Sequence, residues 1–215
     1  MKRLAFAVIA AAVVGVAPAQ AQTCVGYPSF SAGTVRLGGD VAFQDHATQF
    51  GATGALGSTT SPLFGTLSLA GIRYDGDASA TLLDVGVGYS VPAKTMPSLE
   101  FCPVANFSHQ FGPSRGEFDT SANNFSIGAA LGRSLVASPT MNVVPFADLR
   151  FVHTSVNVES DFGNVDFSDN YGSLSLGAGI VFNKTTTLRP VVIIPIALDG
   201  GSSVFQISLA FNLGK

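Results

Sequence analysis

The segment Val204-Phe205-Gln206-Ile207-Ser208-Leu209-Ala210-Phe211-Asn212-Leu213 puts Phe205, Ile207, Leu209, Phe211 and Leu213 on one parity and small or polar residues on most of the other. Successive side chains of an extended chain point to opposite faces, so this is a strand with one greasy and one wet face. The same period returns through most of the chain, and past the amino-terminal region no apolar run reaches the roughly 20 residues of a membrane helix. Strands cross a bilayer only when a closed ring pairs every backbone group. The expected fold is therefore all-β, a closed antiparallel up-and-down transmembrane β-barrel of the kind found in bacterial outer membranes.

Lys2 and Arg3 precede an apolar stretch, Leu4 to Val16, followed by Pro18 and Ala19-Gln20-Ala21. This reads as a secretory signal peptide over 1–21, cleaved after Ala21. Cys24 lacks the preceding small residues of a lipoprotein signal, so no lipid anchor is expected. The remaining chain divides into a periplasmic or plug segment, 22–33, and a barrel, 34–215. Charged residues are 12% of the chain, Gly is abundant at 24, and the net charge is -3. That balance excludes a basic nucleic-acid surface and suits a wall facing lipid.

Alternation locates the strands. Val35, Leu37, Val41 and Phe43 share one parity, as do Leu83, Val85, Val87 and Tyr89, then Leu99, Phe101, Ala105 and Phe107, then Phe125, Ile127, Ala129 and Leu131. The pattern resumes with Val143, Ala147, Leu149 and Phe151, with Leu174, Leu176, Ala178, Ile180 and Phe182, and with Leu188, Val192, Ile194 and Ile196, where Pro190 and Pro195 interrupt the ladder. Two Gly-rich strands are read in 45–75. The sum is ten, an even number that returns both termini to the periplasm; eight, with 45–75 merged, is the alternative. Ten strands place short periplasmic connections near 92–96, 136–140 and 184–186 and longer outer loops near 110–122 and 154–168.

Charges sit on the parity opposite the apolar row: Arg36, Asp40, Asp84, Glu100, Asp148, Arg150, Arg189 and Asp199. In a barrel they point inward, where acids and bases pair across strands, and Asp148 with Arg150 is the best pair. A lumen filled by side chains disfavours a general porin and leaves at most a narrow solute path. Cys24 and Cys102 are the only cysteines, and a bridge between them would draw 22–33 against the barrel mouth.

The export site Ala19-Gln20-Ala21, the Gly-rich alternating strands and the closing Phe205-Gln206-Ile207-Ser208-Leu209-Ala210-Phe211 resemble the small outer-membrane β-barrel family of the OmpA-like and OmpX-like type. The resemblance implies a membrane barrel with outer-membrane lipids, lipopolysaccharide and the barrel-assembly machinery as partners. The family's last strand ends in an aromatic residue, whereas here Asn212-Leu213-Gly214-Lys215 follow Phe211.

No cofactor or metal set is expected, since His46, His109 and His153 are dispersed. His153 and Ser155, with Glu159 nearby, resemble the Ser, His and Glu of outer-membrane lipid A deacylases, an esterase alternative to a structural or surface-interaction role. Surface ligands would meet the loops 110–122 and 154–168, which carry Arg115, Glu117, Asp119, Glu159, Asp161 and Asp166. A soluble lipocalin-like binding barrel, with the apolar parity inside, is the third reading.

Overall fold

The computed structural model describes residues 35–57, 62–76, 78–91, 99–113, 118–160, 163–183, 185–197 and 201–213. The expected signal peptide, the segment 22–33 and Asp199 lie outside these residues. Eleven strands follow in chain order: β1 (Val35–Gln44), β2 (Ala47–Gly57), β3 (Leu63–Tyr74), β4 (Ser79–Tyr89), β5 (Glu100–Phe111), β6 (Phe118–Gly132), β7 (Leu135–Ser138), β8 (Met141–Ser160), β9 (Gly163–Phe182), β10 (Thr186–Ile196) and β11 (Val204–Asn212). All pairings are antiparallel. β1 joins β11 and β6 joins β8, so ten strands close into a ring, with β7 a short appendage on the periplasmic end of β8.

The registers set the barrel's shape. Stepping across strands from Asp40 leads through Gly51, Ala70, Leu82, Gln110, Ala122, Val156 and Phe167. Continued through β10 and β11, the same walk returns to β1 about 12 residues further along, a stagger that tilts ten strands by roughly 40°. At that tilt a strand as short as β1, with 10 residues, spans about 25 Å, the height of a membrane barrel's apolar band.

The outward parity is apolar around the whole ring: Leu37, Phe50, Leu67, Val85, Phe107, Ile127, Leu149, Leu176, Val192 and Ile207 are all exposed. Phe43 stands opposite Phe205 and Phe107 opposite Phe125 toward the outer end, while Leu37 stands opposite Phe211 toward the periplasmic end. These are the aromatic girdles of such barrels. The inward parity holds the buried polar set.

Two expectations need correction. The proposed outer loops are largely strand: 118–122 belongs to β6, 154–160 to β8 and 163–168 to β9. β10 ends at Ile196, which pairs with Gly172, so β9 above that point has β8 as its partner and the hairpin rises beyond its neighbour. The period of two never stops there. Its polarity inverts, with Val152, Val156 and Val158 buried inside and His153, Asn157 and Glu159 on the outer face, the arrangement of a sheet in water rather than in lipid. The expected loop near 136–140 likewise contains β7 and its tight return to β8.

Inward glycines are sites that neighbouring side chains fill. A Cβ on Gly86 would overlap Asn106 and Thr66, and one on Gly88 would overlap the Phe64 ring. On Gly128 it would meet the Leu149 carbonyl and stand 2.7 Å from Arg150 Cα and Cγ. Gly128→Val should therefore destabilise the barrel by about 1–3 kcal/mol or more. A urea titration read by loss of the folded, fast-migrating gel band checks this.

Candidate functional site

Two regions concentrate chemistry: the lumen and the outer rim. In the lumen, β8 directs Asp148, Arg150, Val152 and Thr154 inward because its even residues share that face. The Arg150 guanidinium clasps Asp148, Nη2 to Oδ2 at 2.8 Å and Nε to Oδ1 at 2.9 Å, with both side chains almost fully buried. Its Nη1 donates to Asn106 Oδ1 at 2.9 Å, and Asn106 Nδ2 donates to Asp84 Oδ1 at 3.2 Å. The guanidinium crosses β6 where Gly128 leaves room, so one cation serves two carboxylates. A charge-assisted fork of this kind is strong only because every partner is preplaced.

A neutral tier lies above, where Ser108, Asn124 and Thr154 stand directly opposite one another on β5, β6 and β8. Thr154 Oγ1 donates to Asn124 Oδ1 at 2.6 Å, and Asn124 Nδ2 donates to Ser108 Oγ at 3.3 Å. Gln110 Nε2 reaches Tyr74 Oη at 3.1 Å. Ala42, Phe64, Cys102, Val104, Ala130, Val144, Phe146, Val191, Ile193 and Val204 form one buried cluster contributed by seven strands. Side chains from opposite walls meet there, and its lower members, Phe64, Cys102, Val144 and Phe146, fill the lumen below the charged tier.

The predicted lumen set thus divides. Asp84, Asp148 and Arg150 share the network. Arg36 bonds Asn212 Oδ1 at 2.9 Å near the periplasmic rim, and Arg189 stacks on the Phe146 ring with 4.1 Å to the centroid. Asp40 pairs with Gln206, and Glu100 is half-buried at the periplasmic start of β5. Asn106, the joint of the network, carries no charge and gave no signal beyond its inward parity. Its role follows from register alone.

Cys102 is fully buried in that cluster, and no free cysteine occurs among the described residues. Its partner in the expected bridge, Cys24, lies outside them, so the Cys24–Cys102 disulfide is a proposal. If it forms, non-reduced protein denatured in alkylating reagent will gain no adduct, whereas reduced protein will gain two.

The outer rim corrects the catalytic trio. His153 and Ser155 both face outward on β8, but Glu159 lies four residues beyond Ser155, roughly 13 Å along an extended chain. It cannot orient His153. That place is taken by Asn170 of β9, whose Oδ1 lies 2.9 Å from His153 Nδ1. His109 Nδ1 lies 2.7 Å from Asn123 Oδ1, and His46 Nδ1 lies 2.9 Å from Asp75 Oδ2. Among the described residues no cluster of His, Cys, Asp or Glu could hold a metal ion.

No family model and no curated protein matches the chain. Solved structures are similar at low identity. The attachment invasion locus protein Ail of Yersinia pestis is 10% identical, with 84% of this chain and 98% of that one covered and a TM-score of 0.43. The N-terminal β-barrel domain of Pseudomonas aeruginosa OprF is 10% identical over 85% and 98%, TM-score 0.36. The translocator domain of the autotransporter NalP from Neisseria meningitidis is 9% identical over 86% and 90%, TM-score 0.44. Identities this low transfer no residue roles.

Arg150→Ala would leave Asp148 buried without its counter-charge and should cost about 3–5 kcal/mol. The midpoint of urea unfolding in detergent should fall accordingly, while Arg133→Ala, at an exposed position just past β6, should leave it in place.

Proposed function

We propose that this protein is an integral barrel of a bacterial outer membrane whose role is structural and surface-interactive. The observation that carries the reading is the polarity of the wall: Leu67 is 55% and Phe151 52% exposed, while Asp148 and Arg150 are 0% and 4% exposed. Lipid is the solvent that makes such a surface stable, since an Arg or Lys on the lipid side at the midplane would cost about 2–4 kcal/mol. A lipocalin-like barrel needs the reverse arrangement. The filled lower lumen favours a strut over a channel, so a conducting path is no part of the proposal.

The surface-interactive part is the rising β8–β9 hairpin. Asp119 and Glu159 stand opposite each other on its outer side, and Asn157 Nδ2 holds Asp166 Oδ1 at 2.7 Å. Acidic groups at this height suit lipopolysaccharide bridged by divalent cations. The protein should fractionate with the outer membrane and migrate faster unboiled than boiled; recovery from the soluble periplasm without a shift would overturn the reading.

Val152 pairs directly with Tyr171, so a two-residue Asn-Gly turn joining them removes the upper hairpin without disturbing the registers below. That shortened chain should keep its heat-modifiable migration and lose Mg²⁺-dependent binding to vesicles containing lipopolysaccharide. Unchanged binding would remove the hairpin's role.

A further inference from the structure

We propose that His109 and His153 form a proton-gated site on the outer wall that holds the phosphates of an outer-leaflet glycolipid. The inference rests on the membrane placement argued above and concerns a level below the acidic hairpin tip. Both imidazoles are held in the same way: His109 Nδ1 lies 2.7 Å from Asn123 Oδ1, and His153 Nδ1 lies 2.9 Å from Asn170 Oδ1. An amide oxygen only accepts, so each Nδ1 carries a proton and a second proton must enter at Nε2. The anchoring bond survives that step, because Nδ1 donates in the neutral ring and in the charged one. Phe111 also steadies His109, edge-on with ring centroids 4.2 Å apart.

The barrel's stagger brings the two rings to one depth. His109 pairs with Asn123 and Asn123 with Ser155, which lies two strands over and two residues beyond His153. With strands tilted roughly 40°, crossing two strands climbs about 6 Å, and stepping back from Ser155 to His153 descends about 5 Å. The histidines therefore stand level, with their Cα atoms roughly 10 Å apart around the wall. Phe125, paired with both Phe107 and His153, lies between them where the aromatic girdle ends. That is the level of headgroup phosphates. Asn123 spends its oxygen on His109, so its amide N–H₂ is a further donor in the bay, with the Ser155 and Ser168 hydroxyls in the same row.

Charge decides the ligand. Among the described residues, the outward faces of β4, β5, β6, β8 and β9 carry no other ionisable group at this depth; Asp166 stands one pair farther out than Ser168, and Asp119 and Glu159 stand farther still. Asp169 shares the inward parity of Tyr171 and accepts the Asn170 backbone N–H at 2.7 Å. Neutral imidazoles offer an acceptor at Nε2, and phosphate, itself an acceptor, finds no partner there. Protonated ones are cationic donors whose bonds to phosphate are charge-assisted. Two such donors at one level match a disaccharide phosphorylated at both ends, the headgroup of the lipid anchor of lipopolysaccharide, whereas a single-phosphate lipid meets one ring only.

The test uses the purified full-length barrel in detergent with EDTA, which removes the divalent bridging assigned to the hairpin, and counts bound lipid by native mass spectrometry at about pH 5.5 and about pH 8. Diphosphoryl lipid A should be retained about tenfold or more better at the lower pH, and dephosphorylated lipid A equally at both. His109→Gln and His153→Gln should each remove part of that preference and together all of it. Equal retention of diphosphoryl lipid A at the two pH values would overturn the site, as would a preference that dephosphorylated lipid shares or that survives the double substitution. Displacement of the lipid by equimolar inorganic phosphate would mark a free-phosphate site and overturn the lipid assignment. The pH and phosphate dependence are read on the unsubstituted protein, so a variant that fails to fold does not shield the proposal. A negative result from protein that still migrates faster unboiled leaves the barrel reading intact, whereas absence of that shift counts against the barrel itself.

Discussion

Everything in this molecule depends on the pairing of β1 with β11. Inside hydrocarbon an unpaired backbone amide or carbonyl costs several kcal/mol, so an open sheet of these strands would be untenable where the closed one is stable. The register of that seam, with Phe43 opposite Phe205 and Asp40 opposite Ser208, also completes the stagger that sets tilt and diameter. Once the ring is closed at that size, the interior is too narrow to be water and too polar to be oil. It must be filled by residues that satisfy one another.

The filling is economical in charge. Three arginines, Arg36, Arg150 and Arg189, face a lumen that also receives Asp40, Asp84 and Asp148, so the interior approaches neutrality without any single extended salt-bridge ladder. Large groups fit because glycines on adjacent strands give way to them: Gly128 under Arg150, Gly88 under Phe64, Gly177 under Phe146. Small and large residues alternate across the seam between strands, not along any one of them. The high glycine content is thus a packing requirement of the interior, and it makes the wall sensitive to single methyl groups.

Much of this was legible in the sequence. The apolar parity of segments such as 204–213 and 79–91 located the lipid face, and the charges on the opposite parity located the lumen. The period of two survives whatever solvent the strand meets. What escaped notice had two physical causes. Above the membrane, β8 and β9 keep the period but exchange its phase, so Val156 and Val158 inside and Ser155 and Asn157 outside looked like loop. Contacts between strands depend on register, which no single strand encodes. Asn106 beneath Arg150, and Asn170 beside His153 at a separation of 17 residues, are adjacent only once the hairpins are aligned, whereas Glu159 was closer to His153 in sequence and too far away in space.

The phase exchange on β8 has a consequence for how the protein sits. Below Phe151 the strand is written for oil outside, and from His153 onward for water outside, with no turn or linker between the two. A strand that changes solvent within two residues works as a waterline. Sinking the barrel would immerse His153, Ser155 and Asn157 in hydrocarbon, and raising it would strip lipid from Phe151 and Leu149. The vertical position of the ring is therefore written into β8 as well as into the girdles, and whatever contacts occur at that line occur at a depth the bilayer cannot easily alter.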